Sequence, residues 1–339
     1  MRQIVLAVFL ALPLLAQADA TGDLDALIEE HWDWLMQQHP ETRTSRGDHA
    51  ANDRWTDMSL SAHFERDARR GEFLDRLAAI ETDALSSDDR LSHRMLTRRL
   101  SEARRSHELG LHLMSMNMRS GPQHRHTILE YTPMESERDY RNWLSRLRAL
   151  PALLQQYIEL LEEGITADRV QARAIMERVP AQLDKVITER PQDSPFYRPF
   201  QAVPDSIPAA TAGELQEQAN AVIANQVTPA YREFRDFLVS TYLPASRQQP
   251  GVGSLSGGEE IYRFLAERYT TTVLTPEQIH ETGKREVARI LGEMEEVRKA
   301  VGFDGDLQAF NEFLRTDPQF YYDSPEALLE GYQLSLIHI

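Results

Sequence analysis

His280 and Glu281 stand side by side in a segment of helical periodicity and are the first residues to invite a chemical reading. A zinc-hydrolase motif of the form H-E-x-x-H works because histidines one turn apart share a helix face, while the glutamate polarises the metal-bound water. Here the fifth position is Lys284, a cation that repels zinc, so the pair reads as helix surface and is assigned no metal. His107 and His112, five apart on one expected helix, point to different sides of it. His124 and His126 flank Arg125 after Gly121-Pro122 on an expected loop, with no third ligand at a useful spacing. Asp304-Gly305-Asp306 is too short for a calcium loop and reads as a turn followed by a helix cap.

Gly251, Gly253, Gly257 and Gly258 fall in one loop, residues 243–258. A phosphate-cradling loop needs G-K-[ST] entering its helix, whereas this helix begins with Glu259 and Glu260, which repel an anion at its positive end. Gly253-Ser254-Leu255-Ser256-Gly257 has leucine where a nucleophile elbow requires serine. Two readings remain for this loop, a flexible connector or the lining of a substrate cleft. The chain has no cysteine, which removes disulfides, thiolate catalysis and Cys-based zinc sites. No catalytic set and no metal set is assembled from these residues.

The elements that would position any site are helices. The clearest covers 136–163, where Tyr140, Trp143, Leu144, Leu147, Leu150, Leu154, Tyr157, Ile158 and Leu161 recur at three- and four-residue spacing. Ser136 with Asp139 resembles a capping box, and Gly164 is expected to close the helix. Thr166 is expected to cap a second helix, ending near Arg190 and making an antiparallel hairpin with the first. Further helices are expected near 23–38, 61–80, 88–118 and 213–243. The proline-rich segment 191–208 is too broken for a helix and reads as an ordered connector, because Phe196, Tyr197 and Phe200 favour burial. Beyond the glycine loop, helices are expected at 259–269, 275–301, 306–315 and from 324 onward. Thr275-Pro276-Glu277-Gln278 is a full helix-start signature, and 269–273 has the composition of a short extended piece. The result is an all-α, multi-helix array over 21–333, with helical blocks of about 21–190 and 209–333.

Residues 1–20 read as a signal peptide, from Arg2, the apolar stretch 4–15 and the Ala18-Asp19-Ala20 cleavage pattern. Export to the periplasm or beyond follows, as a protein not stably inserted in a membrane. With no cysteine near the cut, a lipid anchor of the bacterial lipoprotein kind is not expected. A net charge of −16 and a pI near 5.2 argue against nucleic-acid and anionic-membrane partners, which need a basic face. The last helix starts at Ser324-Pro325-Glu326 but has no stop signal, and 334–339 is a nearly all-apolar end. These features read as a truncated protein with a non-native tail over 334–339.

Several passages together resemble the domain of unknown function 885 family. They are Leu243-Pro244-Ala245, Pro250-Gly251-Val252-Gly253, Gly258-Glu259-Glu260-Ile261-Tyr262, and the run from Arg268-Tyr269 through Thr275-Pro276-Glu277-Gln278-Ile279-His280. Asp317-Pro318-Gln319-Phe320-Tyr321-Tyr322, Asp139-Tyr140, Arg146-Leu147, Pro40-Glu41-Thr42 and Gly47-Asp48 fit as well. The resemblance implies an exported, largely helical, zinc-dependent peptidase-like hydrolase with a deep cleft and a peptide substrate. The family's zinc motif, His-Glu followed shortly by Pro-Gly-His-His, has no counterpart in this sequence. Catalytic and metal residues are therefore not carried over, no cofactor is expected in this fragment, and zinc is expected only in the intact parent. Within that reading, Gly251, Gly253, Tyr262, Tyr269 and His280 are the candidates for the cleft wall, the tyrosines or histidine donating to a developing oxyanion. The alternative is a non-catalytic periplasmic helical binding protein or holdase.

Overall fold

Side chains at the helix starts fix where the elements begin. The computed structural model describes residues 4–337, with side chains over 20–335. The described residues form helices, turns and two isolated bridges but no strand, the all-α array that the periodicity predicts. They divide into two compact units, Met1–Tyr262 and Arg263–Ile339. The first unit holds α1 (Ile4–Gln38), α2 (Pro40–Ser45), α3 (Leu60–Ala78), α4 (Ser87–Glu108), α5 (Glu137–Thr166), α6 (Arg173–Met176), α7 (Val179–Asp184), α8 (Ala209–Val222), α9 (Thr228–Phe237) and α10 (Leu243–Ala245). The boundary falls within α11 (Gly258–Thr270), and α12 (Pro276–Ala300), α13 (Leu307–Thr316) and α14 (Pro325–Ile337) follow. The side chains of the expected leader lie outside the described residues up to 19, as does the end of the expected tail.

Helix α5 carries the core of the first unit. Ser136 and Asp139 form the capping box that their spacing predicts. Tyr140, Trp143, Leu144, Leu147, Leu150, Leu154, Tyr157, Ile158 and Leu161 are all buried. The proline-rich segment lies against this helix, with Phe196, Tyr197 and Phe200 buried in 3-10 turns. Trp143 Nε1 donates to the Phe196 carbonyl at 3.0 Å and the Tyr140 hydroxyl to that of Pro199 at 3.0 Å. These bonds satisfy two buried donors and tie the proline-rich segment to α5.

Three local expectations are corrected. Gly164 does not close α5 but lies inside it, where a Cβ would come within 3.1 Å of the Leu113 carbonyl and 2.9 Å of that of Arg169. The glycine serves close approach of backbones rather than a cap. The hairpin partner of α5 is not one helix: Asp168 turns the chain at φ 52, Ala172 bridges to Arg247, and two short helices follow. The helix expected over 88–118 ends at Glu108, because Gly110 takes φ 72 and reverses the chain.

Residues 209–245 form one helical rod interrupted by two π segments, Ile223–Val227 and Leu238–Tyr242. Each lies directly before a proline-bearing turn, Thr228-Pro229 and Leu243-Pro244. A proline removes one N–H and its ring crowds the carbonyl four residues back, and the wider π turn gives that ring room.

In the second unit, Thr275 and Gln278 form the expected capping box and Asp306 caps α13 by accepting from Ala309 N at 2.8 Å. The stretch 269–273 is not extended throughout: α11 runs to Thr270, and Thr271 sits at φ 56. A small aromatic group, Phe303, Phe310, Phe313 and Phe320, packs with ring separations of 5.1 to 5.4 Å between neighbours. Along α12, by contrast, no residue is buried, and Val287, Ile290, Leu291 and Val297 are exposed.

Candidate functional site

The glycine loop is pinned, not free. Arg247 donates from Nη1 to the carbonyls of Gln249, Pro250 and Gly251, and from Nε to Val170. Asp168 accepts from Ser256 N at 2.8 Å. A Cβ at Gly258 would meet the Val252 carbonyl at 2.2 Å, so glycine is required where α11 starts beneath the loop. Gly251 and Gly253 differ: neither has a positive φ and a Cβ on either meets nothing within 4 Å. The fold of the described residues makes no demand for glycine at those two positions.

Of the other cleft-wall candidates, Tyr262 belongs to the first unit, and Tyr269 and His280 to the second. Both tyrosines are exposed, at 49% and 78%, so core packing does not account for them. His280 is also exposed, and the Glu281 carboxylate is paired with Lys284 Nζ at 3.0 Å. A carboxylate held by the cation in the fifth position does not fit a zinc motif. Among the described residues no group of three or more His, Cys, Asp or Glu is arranged to hold a metal ion. The described residues do not fit zinc.

A different set of charged groups converges in the first unit. Pro40 starts α2 and places Glu41 in its first turn. Gly47 at φ 85 turns the chain, and Asp48 holds the turn by accepting from Ala50 N at 3.0 Å and from Arg43 Nε at 2.6 Å. The returning segment brings Thr56 back to Glu41, whose Oε2 accepts from the Thr56 backbone N at 3.1 Å and its hydroxyl at 2.5 Å. Glu41 Oε1 accepts from Arg125 Nη1 at 2.9 Å, and Arg125 Nη2 donates to the Tyr157 hydroxyl at 2.6 Å. Burial works against the charge on Arg125, but Tyr157 and Glu41 outweigh it and hold its pKa above the ordinary value.

Beneath this pair lies Arg146, fully buried on α5. It donates from Nε to the Arg54 carbonyl at 3.0 Å, and from Nη2 to the Thr44 hydroxyl at 2.9 Å and the Ala51 carbonyl at 3.3 Å. Trp55 lies under its guanidinium, 5.0 Å from ring centroid to Cζ, and donates from Nε1 to the Arg146 carbonyl at 2.8 Å. Burial lowers the Arg146 pKa to about 10, which leaves it charged at neutral pH. A buried cation bonded to carbonyls fixes the path of those carbonyls. Here it fixes the segment between α2 and α3.

Over this cradle opens a cleft of about 380 Å³ between α2 and the 3-10 helix Pro122–Tyr131. Glu41, Trp55 and Arg125 line it, with Arg119, His124 and Tyr131 among its other walls. The groups suit a polar chain with some apolar surface. The arginine and carboxylate are already engaged with each other, so the arrangement suits binding rather than bond breaking. His126 is turned away, its ring packed edge-on against Phe196 at 6.0 Å. The cleft was visible in the sequence only in scattered form. Pro40-Glu41-Thr42, Gly47-Asp48 and Arg146-Leu147 stand among the family-like passages, whereas Arg125 carries no signal beyond its flanking histidines and Tyr157 none beyond its place in the apolar stripe of α5.

The first unit is a helical array with a polar cleft between α2 and the 3-10 helix Pro122–Tyr131. The family described as "Bacterial protein of unknown function (DUF885)" matches residues 40–336, and the chain belongs to that family. A crystal structure described as that of "the putative lipoprotein from Colwellia psychrerythraea" is similar over 92% of this chain, with a TM-score of 0.78 and 19% identity. The chain spans 57% of that structure's length, and at this identity the likeness concerns the fold alone. Among curated proteins, no relative matches the chain.

Proposed function

We propose that this chain forms the helical wall of a peptide-binding cleft in an exported hydrolase of the family, one whose catalytic metal site is carried by residues outside this chain. The observations that support the reading are the family match over residues 40–336 and a fold likeness that covers 92% of this chain and 57% of the similar structure. Gly251 and Gly253 support it, being glycines that no turn or packing contact requires, as expected where a substrate backbone approaches closely. Tyr262, exposed in the same unit as that loop, is a donor available to a substrate carbonyl, and in the second unit Tyr269 and His280 are exposed donors as well. A zinc ion held outside this chain would supply the Lewis acid, and this chain would contribute binding and orientation. The leader-like start and the neighbour's description as a lipoprotein support an exported, envelope or periplasmic setting. No helix among the described residues is long and apolar enough to cross a membrane.

The test compares this chain with a version extended through the native downstream reading frame, assayed on mixed peptides with and without chelator. Zinc-dependent hydrolysis by the extended protein alone is the expected result. A second reading, a non-catalytic helical binding protein or holdase, is favoured by the unburied apolar side of α12. A downstream frame that closes near Tyr332 would support it over the hydrolase.

A further inference from the structure

The α3–α4 hairpin carries a group of side chains that the cleft does not use. His63 and Asp67 lie one turn apart on α3, and His107 lies in the last turn of α4. The reversal at Gly110 brings His112, in the 3-10 turn Leu111–Met114, back over His107. The two rings stack at 4.2 Å with 18° between planes, and the His63 ring lies 5.1 Å from His112. The expectation that His107 and His112 point to different sides of one helix is thereby corrected.

His63 Nε2, His107 Nε2 and His112 Nδ1 are all buried without a hydrogen-bond partner. A neutral imidazole carries one N–H and tolerates a bare lone pair, whereas an imidazolium must donate from both nitrogens. The charges facing the rings are Arg66, Asp67 and Arg70 on α3 and Arg104 and Glu108 on α4. Asp67 Oδ2 lies 3.8 Å from His107 Nδ1 but also 3.6 Å from Arg104 Nε, and Glu108 is paired with Arg105 at 2.9 Å. Helix α5 meets the 3-10 turn through Gly164 against the Leu113 backbone, and just beyond its end Arg169 packs on Gly110 and donates from Nε to the Leu109 carbonyl at 2.7 Å, a further cation at the corner. Close to the rings the corner holds the cations Arg66, Arg70 and Arg104, with Arg169 packed on Gly110, against one carboxylate, Asp67, whose Oδ2 is shared and whose Oδ1 is buried without a partner.

We propose that the His63–His112–His107 stack is an acid-triggered latch: uncharged, it holds the 3-10 turn closed on the α3–α4 hairpin, and protonated, it drives that corner open. Burial first, then Arg66, depresses His63 to about 3, and burial followed by His107 depresses His112 to about 4. An unconstrained histidine takes its proton near 6.5. The closed corner is therefore at full strength above that value and loses ground as pH falls from 6.5 toward 4. At pH 5 each excluded proton favours the open form by about 30-fold.

Hydrogen exchange of the full chain between pH 7.5 and 5, corrected for intrinsic exchange, tests the latch. Opening of peptides covering 107–114 is expected to rise about 30-fold per ring, or about 1000-fold for His63 and His112 together. His112→Gln is expected to remove about one 30-fold factor from that rise. An unchanged pH dependence in the variant would overturn the latch. Ring NMR of the wild-type chain gives a second check that needs no variant. A His112 titrating near 6.5 without opening would overturn the proposal, as would histidine-dependent closure by added nickel.

Discussion

Arg146, with no exposed surface, donates to the hydroxyl of Thr44 at 2.9 Å across 102 residues of chain. That bond joins the central helix to the short helix that presents Glu41. Arg146→Met keeps most of the volume but strands the carbonyls of Arg54 and Ala51. Charged hydrogen bonds of this kind are worth about 1.5–3 kcal/mol each, so a loss of about 3 kcal/mol is expected in urea unfolding. A midpoint unchanged from wild type would mean the cradle does not hold the segment.

Glu41 and Arg125 should behave as a unit. Glu41→Ala leaves a half-buried guanidinium without its carboxylate though still bonded to Tyr157, an expected cost of about 1–3 kcal/mol. Adding Arg125→Met to it should recover part of that loss, giving a coupling of about 1–3 kcal/mol in a double-mutant cycle. Strict additivity would show that the two do not act as a pair.

The glycine loop separates two roles by position. Gly258→Ala forces a Cβ toward the Val252 carbonyl and should lower thermal stability clearly. Gly251→Ala and Gly253→Ala meet open space and should leave stability within about 0.5 kcal/mol. In the extended protein the same two changes should raise KM for peptides. If they left KM untouched, the loop would not line the cleft.

Acid should act in two windows. The first, from 6.5 downward, belongs to the depressed histidines. The second lies lower: Asp57 is held below the ordinary carboxylate value because bonds from Ser59, with Arg66 and Gln156, outweigh the opposing effect of burial. Its folded pKa is below its unfolded one, so its contribution is present above about 3.9 and is lost as pH falls past that point. Proton uptake on unfolding, followed by calorimetry across pH 7 to 3, should show both windows. Uptake confined to below pH 4 would remove the histidine part of the account.

The bare side of α12 should bind an apolar dye. Val287, Ile290, Leu291 and Val297 recur at three- and four-residue spacing with none buried, and Leu328, Leu329 and Tyr332 on α14 are exposed too. Val297→Lys should reduce dye fluorescence without lowering the melting temperature of the first unit. A sharp melt with no dye binding would count against the exposed face.

The helices were readable because periodicity and caps are local. Ser136 with Asp139 and Thr275 with Gln278 each fix a start within four residues. The breaks were not readable, because Gly110 and Asp168 show their left-handed backbone only once α4 and α5 are packed. The cradle hid for a related reason: Glu41, Arg125 and Arg146 come from distant segments, and spacing along the chain carries no trace of their meeting. His107 and His112 show the same limit, since a five-residue gap separates two side chains on a helix and stacks them across a turn.

Peptide hydrolysis by this chain and by its natively extended form, each with and without chelator, tests the central claim most directly. The account predicts no turnover by this chain and chelator-sensitive turnover by the longer protein, with bound zinc. Chelator-sensitive hydrolysis by this chain alone, or a longer protein that neither binds zinc nor cleaves peptides, would contradict it.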